Sequence, residues 1–148
     1  MKRQILHKMM LGMFLMLLAV GMAYAQNEGQ IFRATIPFSF SVGTHSYPAG
    51  DYTLQPMRQH ASLTYTMILR NQRGEILANF LTNSLGSGGA VGTAKLVFNR
   101  YGGRYFLAEA RQAGNNIGWQ LIKSPSEIEV AKAMRPSGEL VAVNLATH

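Results

Sequence analysis

Glu109 is the residue of this sequence best placed to do chemistry, because it lies in an alternating strand pattern and not in a turn. That pattern, over residues 104–111, assigns Glu109 to the same face as Tyr105 and Leu107. A carboxylate on a mostly apolar face is either paired with a nearby arginine or buried, where it can act as a general acid or base. Tyr105 and Trp119 could offer ring faces to a ligand, although strand aromatics more often form core and cross-strand pairs. The sequence therefore predicts a ligand or polar site at Glu109, Tyr105 and Trp119, with an ion pair as the simpler interpretation of Glu109.

The sequence contains few residues that could bind a metal ion or act as a nucleophile. There is no cysteine, and Asp51 is the only aspartate. Three of the four histidines, His45, His60 and His148, lie outside the N-terminal segment, and none has the His-x-His or His-x-x-x-His spacing of metal ligands. We therefore predict no catalytic residue, no metal site and no cofactor, and we expect Asp51 to accept hydrogen bonds from turn amides.

A glycine-rich stretch at residues 86–91, GSGGAV, invites comparison with phosphate-binding loops. It lacks the third glycine of the dinucleotide fingerprint, and no Gly-Lys-Ser/Thr follows it. It also lies between two predicted strands instead of opening a helix. The sequence predicts a plain connecting loop here.

The first 25 residues have the three-part layout of a secretory signal. Lys2 and Arg3 come first, an apolar run extends over residues 9–22, and Ala23 and Ala25 supply the small residues before a cleavage site. A membrane anchor is the competing interpretation, but a spanning helix needs roughly 20 apolar residues and this run is shorter. Lipid attachment would need a cysteine. We expect cleavage after Ala25 and an exported protein, periplasmic or secreted, with no membrane span left in residues 26–148.

The charge of the remaining chain is mild and dispersed. Without the signal, eleven basic and seven acidic residues leave a net charge of +4. The arginines are never adjacent in sequence, whereas a nucleic-acid-binding protein concentrates them to contact phosphates. No nucleic-acid partner is predicted. Residues 26–148 are long enough for one core, which has to be held by packing because no disulfide can form.

Alternating apolar residues predict about eight short strands separated by turns. The first run, residues 31–42, places its apolar side chains on one face, with Pro37 marking an edge or a bulge. Asn71-Gln72-Arg73-Gly74 and Gly102-Gly103 predict hairpins, because asparagine and glycine tolerate the positive φ of tight reversals.

One helix is predicted late in the chain, ending before Pro136. Ser124 caps it, and Glu127 completes a capping box. Ile128, Ala131 and Met134 would form its apolar stripe. The fold class is therefore mostly β, an antiparallel sandwich or a small barrel of about eight strands with one helix in the C-terminal region.

Several segments together resemble a family of uncharacterised small exported all-β proteins of soil bacteria, acidobacterial ones in particular. The matching segments are IPFSF at 36–40, YPAGDYTL at 47–54, KLVFNRYG at 95–102, RYFL at 104–107, and the Lys-Ser pair at 123–124 that leads into an acidic helix. Ile122 departs from the family pattern, which has proline before that pair. The resemblance implies the fold and export, and it implies no activity, because none is established for the family.

Three functions are compatible with these features. The first is a non-catalytic binding or structural β domain in the cell envelope or the medium, with an envelope component as its partner. The second is a carrier that encloses a small apolar ligand in a barrel cavity, since eight strands can enclose one. The third is a hydrolase that uses Glu109.

Overall fold

The structure is a computed structural model that describes residues 31–58, 64–85, 92–114, 117–134 and 138–145. The predicted signal, the glycine-rich stretch at 86–91, His60 and His148 lie outside the described residues. Within those ranges, no helix combines the length and the apolar character needed to cross a membrane.

The predicted mostly β class is confirmed, and the described residues form ten strands in place of about eight. The elements are β1 Phe32–Ile36, β2 Phe40–Val42, β3 His45–Tyr47, β4 Gly50–Arg58, β5 Thr64–Asn71, β6 Ile76–Leu85, β7 Lys95–Tyr101, β8 Arg104–Arg111, β9 Gly118–Leu121, α1 Pro125–Ala133 and β10 Gly138–Asn144. One of the extra strands arises at Pro37, which cannot donate to a ladder and divides the first apolar run into β1 and β2.

The strands form one curled sheet in the order β1-β4-β5-β6-β9-β8, and β8 continues on its other edge to β7 and then β10. β7 pairs along the whole of one edge of β8. The opposite edge of β8 pairs with β9 near one end and with β2 near the other, and β3 pairs with the far edge of β2. The β2–β8 contact is parallel, and every other pairing is antiparallel. The edge strands β1 and β10 approach each other without pairing, so the sheet stays open and sandwich-like and is not a closed barrel.

The curled sheet encloses a single apolar core. Alternation along β1 sends Phe32, Ala34 and Ile36 inward, and the residues between them face solvent. Phe40 and Phe98 fill the centre with their ring centroids 5.6 Å apart, and both side chains are almost completely buried.

The helix α1 packs against the outer face of β7, where Glu127 meets Asn99 and Tyr101. As predicted, Ser124 Oγ accepts a hydrogen bond from the backbone N–H of Glu127, at 3.2 Å. The other half of the predicted capping box is wrong, because the Glu127 carboxylate turns under the helix and accepts from Asn99 Nδ2 at 2.7 Å. Glu127 therefore occupies the buried face of the helix at 4% exposure, and Ile128, predicted to pack on the sheet, is 40% exposed.

Candidate functional site

Glu109 does not lie on the face that the sequence predicts. Val97 pairs with Glu109 and Phe98 pairs with Leu107, so Ala108 is an extra residue in β8. Such a β-bulge shifts the alternation of side chains by one position. Leu107 therefore faces the core, while Glu109 lies on the outer face of the sheet, and the predicted shared face of these two residues is wrong.

On that outer face Glu109 forms an ion pair with Arg111. Its Oε2 atom lies 2.7 Å from both Nε and Nη2 of the guanidinium group. Residues two apart on a strand share a face, which explains why the two side chains meet. The contact matches the simpler interpretation of Glu109, an ion pair with a neighbouring arginine.

Tyr105 and Trp119 pack against other aromatic rings. Tyr105 stacks on Phe38 with centroids 4.0 Å apart and planes inclined by 17°. Trp119 is 5% exposed and meets Phe32 and Tyr65 edge to face, at 5.4 and 6.0 Å. These contacts belong to the core, whereas Glu109 lies on the opposite face, so the structure does not bring the three predicted site residues together.

A different site opens at the end of the sheet where β4 begins and β5 ends. Two adjoining cavities of about 450 Å³ and about 370 Å³ share Asp51, Tyr52, Asn71 and Gln72 in their walls. The larger one is completed by Arg33, Ala34, Thr35, Thr53 and Gly74, and the smaller one by Tyr47, Pro48, Gly50, Arg73 and Leu77. We call this pair of cavities the β4–β5 cleft.

The turn between β5 and β6 forms one wall of the cleft. The backbone N–H of Gly74 donates to the carbonyl of Asn71 at 2.9 Å, and Gly74 has a φ of +82°, a conformation that glycine adopts without strain. Asn71 Oδ1 accepts from the backbone N–H groups of Arg73 and Glu75, both at 3.0 Å. This closed network fixes the turn and leaves the side chains of Gln72 and Arg73 exposed at the cleft.

Two tyrosines form the floor of the smaller cavity, and both hydroxyl groups are already engaged. Tyr52 donates to the carbonyl of Pro48 at 2.7 Å, and Tyr47 donates to the carbonyl of Leu77 at 3.3 Å. Burial raises the pKa of Tyr47, and burial together with the neighbouring Tyr47 raises the pKa of Tyr52. The two hydroxyls therefore stay protonated at neutral pH and act as rigid parts of the floor.

Among the described residues that line the cleft, Asp51 is the only carboxylate, and it accepts a hydrogen bond from Thr35 Oγ1 at 2.5 Å. No cluster of three or more histidine, aspartate or glutamate residues that could hold a metal ion occurs in the described ranges. The walls offer guanidinium groups, amides, hydroxyls and two ring systems. Such groups are suited to hold a polar ligand by charge and hydrogen bonds.

The sequence predicts the turn at Asn71–Gly74, which borders the cleft, but not the cleft itself. The turn at Tyr47–Gly50 and the turn at Asn71–Gly74 are 24 residues apart in the numbering, and they meet only because β4 pairs with β5 from Tyr52↔Asn71 onward. A register of this kind cannot be read from alternation alone. The usable signal was the density of polar and aromatic residues in the two turns.

Comparison with known protein families, with characterised proteins and with solved structures finds no match for this chain. The resemblance to exported proteins of soil bacteria therefore stays a prediction.

Proposed function

We propose that this protein is an exported, non-catalytic binding domain that holds a ligand of the cell envelope or the surrounding medium in the β4–β5 cleft. The observation that carries the proposal is the pair of adjoining cavities around Asp51, Tyr52, Asn71 and Gln72. Ligand sites are concave surfaces with a few well-placed polar groups, and this cleft has both properties. Its walls are held by hydrogen bonds within the two turns, so little conformational entropy is lost when a ligand binds.

Export is the second part of the proposal, and it is supported by the sequence. Residues 1–25 combine a basic start, an apolar run and small residues at 23 and 25. Because the chain has no cysteine, no thiol is available for oxidation outside the cytoplasm. We propose the periplasm or the medium as its location.

The other two hypotheses gain less from the structure. An apolar carrier needs an enclosed cavity, yet the sheet is open and Phe40 and Phe98 fill its centre. A hydrolase based on Glu109 needs a carboxylate free to exchange protons with a substrate, and Glu109 is held by Arg111. Neither hypothesis is supported by a specific observation, so the binding domain is preferred.

A single substitution tests the proposal. Gln72→Trp places a bulky ring at an exposed turn position in the shared wall of the two cavities, and Gln120→Trp makes the same change at an exposed position on β9 as a control. The purified proteins are sedimented with isolated cell-envelope fractions and with polymers recovered from the medium. We expect wild type and Gln120→Trp to sediment with one of these fractions and Gln72→Trp to remain in solution.

Two results would refute the proposal. If Gln72→Trp binds as wild type does, the ligand does not occupy the cleft. If wild type binds none of the fractions, the protein is better described as a structural domain.

A further inference from the structure

Two arginines flank one threonine on the outer face of the sheet beside the larger cavity. The register pairs Arg33 with Thr53 and Thr53 with Arg70, so the three residues form one row across β1, β4 and β5. Paired residues of neighbouring strands project from the same face, and neighbouring strands are about 4.8 Å apart. The two guanidinium groups therefore extend from positions about 10 Å apart, with the Thr53 hydroxyl between them.

Neither arginine of this row forms an ion pair with an acidic side chain among the described residues. Both ion pairs formed among the described residues, Arg100 with Glu139 and Arg111 with Glu109, lie on other strands. Arg70 Nη1 donates a hydrogen bond to the carbonyl of Gly74 at 3.0 Å, and because Gly74 lines the larger cavity, this bond holds the guanidinium group beside it. Arg33 in the wall of the larger cavity and Arg70 beside that cavity together attract a ligand that carries carboxylate or phosphate groups.

The next row on the same face of the sheet, formed by Thr35 and Asp51, requires hydrogen-bond donors from the ligand. Thr35 pairs with Asp51, and the Asp51 carboxylate has one oxygen bound to Thr35 and the other directed to no donor of the described residues. An ionised carboxylate only accepts hydrogen bonds, so a ligand beside it has to donate them. Hydroxyl groups meet this requirement. A ligand that carries both acidic groups and many hydroxyl groups therefore satisfies the arginine row and Asp51 together.

We propose that the β4–β5 cleft recognises an acidic polysaccharide. Carboxylate groups of the polymer bind Arg33 and Arg70, and its hydroxyl groups donate to Asp51. The half-buried ring of Tyr47 in the adjoining cavity provides the apolar surface on which a sugar ring lies. This inference rests on the proposed function, and it specifies the class of ligand that the cleft binds.

The experiment uses isothermal titration calorimetry with oligogalacturonate as the acidic probe and a dextran oligosaccharide of equal length as the neutral probe. Arg33→Gln and Arg70→Gln remove one charge each and keep a side-chain donor. Arg104→Gln, at an exposed position in the β7–β8 hairpin, removes the same charge away from the cleft. Thermal melting followed by circular dichroism establishes that each variant is folded.

We expect oligogalacturonate to bind wild type and dextran to bind much more weakly. A charge-assisted hydrogen bond contributes about 1.5–3 kcal/mol, so each arginine variant in the row should bind the acidic probe roughly tenfold to a hundredfold more weakly. Arg104→Gln should bind as wild type does. The affinity should also fall with added salt, because the interaction is between opposite charges.

Four outcomes would overturn the inference. These are equal affinity for dextran, an equal loss in Arg104→Gln, full competition by millimolar inorganic phosphate, and tighter binding to phosphatidylglycerol vesicles than to the oligosaccharide. The last two would assign the arginine row to a free anion or to a membrane surface.

The failure of this inference can be told apart from the failure of the proposed function. If Gln72→Trp abolishes binding to the envelope fraction while Arg33→Gln and Arg70→Gln retain it, the cleft binds a ligand that is not acidic. If all three variants bind that fraction as wild type does, the cleft itself is not the site.

Discussion

Replacing Phe98 by alanine should remove the centre of the core. Phe98 is 0% exposed, and its ring meets Phe38 and Phe40 edge to face at 5.1 and 5.6 Å. A buried Phe→Ala substitution costs about 3–5 kcal/mol, and the loss of two aromatic contacts places this site at the upper end of that range. We expect the free energy of unfolding to fall by about 4–5 kcal/mol, out of a total of roughly 5–15 kcal/mol for a domain of this kind.

Urea unfolding followed by circular dichroism measures this loss. With a slope of about 2 kcal/mol per M urea, the midpoint of Phe98→Ala should lie about 2 M below that of wild type. Leu81→Ala is the control, because Leu81 is 51% exposed and its truncation should change stability by less than about 0.5 kcal/mol. If Phe98→Ala unfolds within about 0.5 kcal/mol of wild type, the rings do not form the packed centre described above, and an internal cavity for an apolar ligand becomes plausible again.

Three further predictions concern the helix, a hairpin and the cleft floor. Glu127→Ala and Asn99→Ala should each cost about 1–3 kcal/mol. In a double-mutant cycle measured by urea unfolding, the double variant should lose less than the sum, because either single variant already removes the Asn99–Glu127 hydrogen bond. Strict additivity would contradict the contact. Gly102→Ala should cost about 1–2 kcal/mol of stability, because Gly102 has a φ of +60°. Gly103→Ala should cost less, because the added Cβ would lie in open space. Equal melting temperatures of the two variants would argue against this turn geometry. Because the pKa of Tyr52 is raised in the folded protein, the protonated hydroxyl stabilises the fold fully below about pH 10, and this contribution is lost as the pH rises through the folded-state pKa. Between about pH 9 and about pH 11, Tyr52→Phe should therefore lose less stability than wild type does. An equal loss in the two proteins would refute the assignment.

Much of the fold follows from local sequence signals. Side-chain alternation placed Phe32, Ala34 and Ile36 in the core, and the glycines at 102 and 103 located the β7–β8 hairpin. Ser124 located the start of the helix. Each of these signals depends on only a few neighbouring residues, so it can be interpreted without knowledge of the tertiary structure.

The errors arise where long-range pairing overrides the local pattern. The extra residue at Ala108 moves Glu109 to the other face, and nothing in the alternation of β8 announces that bulge. Glu127 leaves its capping role because Asn99, 28 residues away, offers a donor under the helix. The cleft was missed for the same reason, since it exists only after β1, β4 and β5 have paired.

The most direct test of the central claim is the mapping of the ligand contact by nuclear magnetic resonance. The ¹⁵N-labelled protein is titrated with the envelope or medium polymer that it binds, and the shifts of the backbone amide signals are followed. We expect the largest changes to cluster at Arg33, Thr53, Asn71 and Gln72. Changes centred instead on Glu109 and Trp119, with the amides of the cleft unaffected, would contradict it.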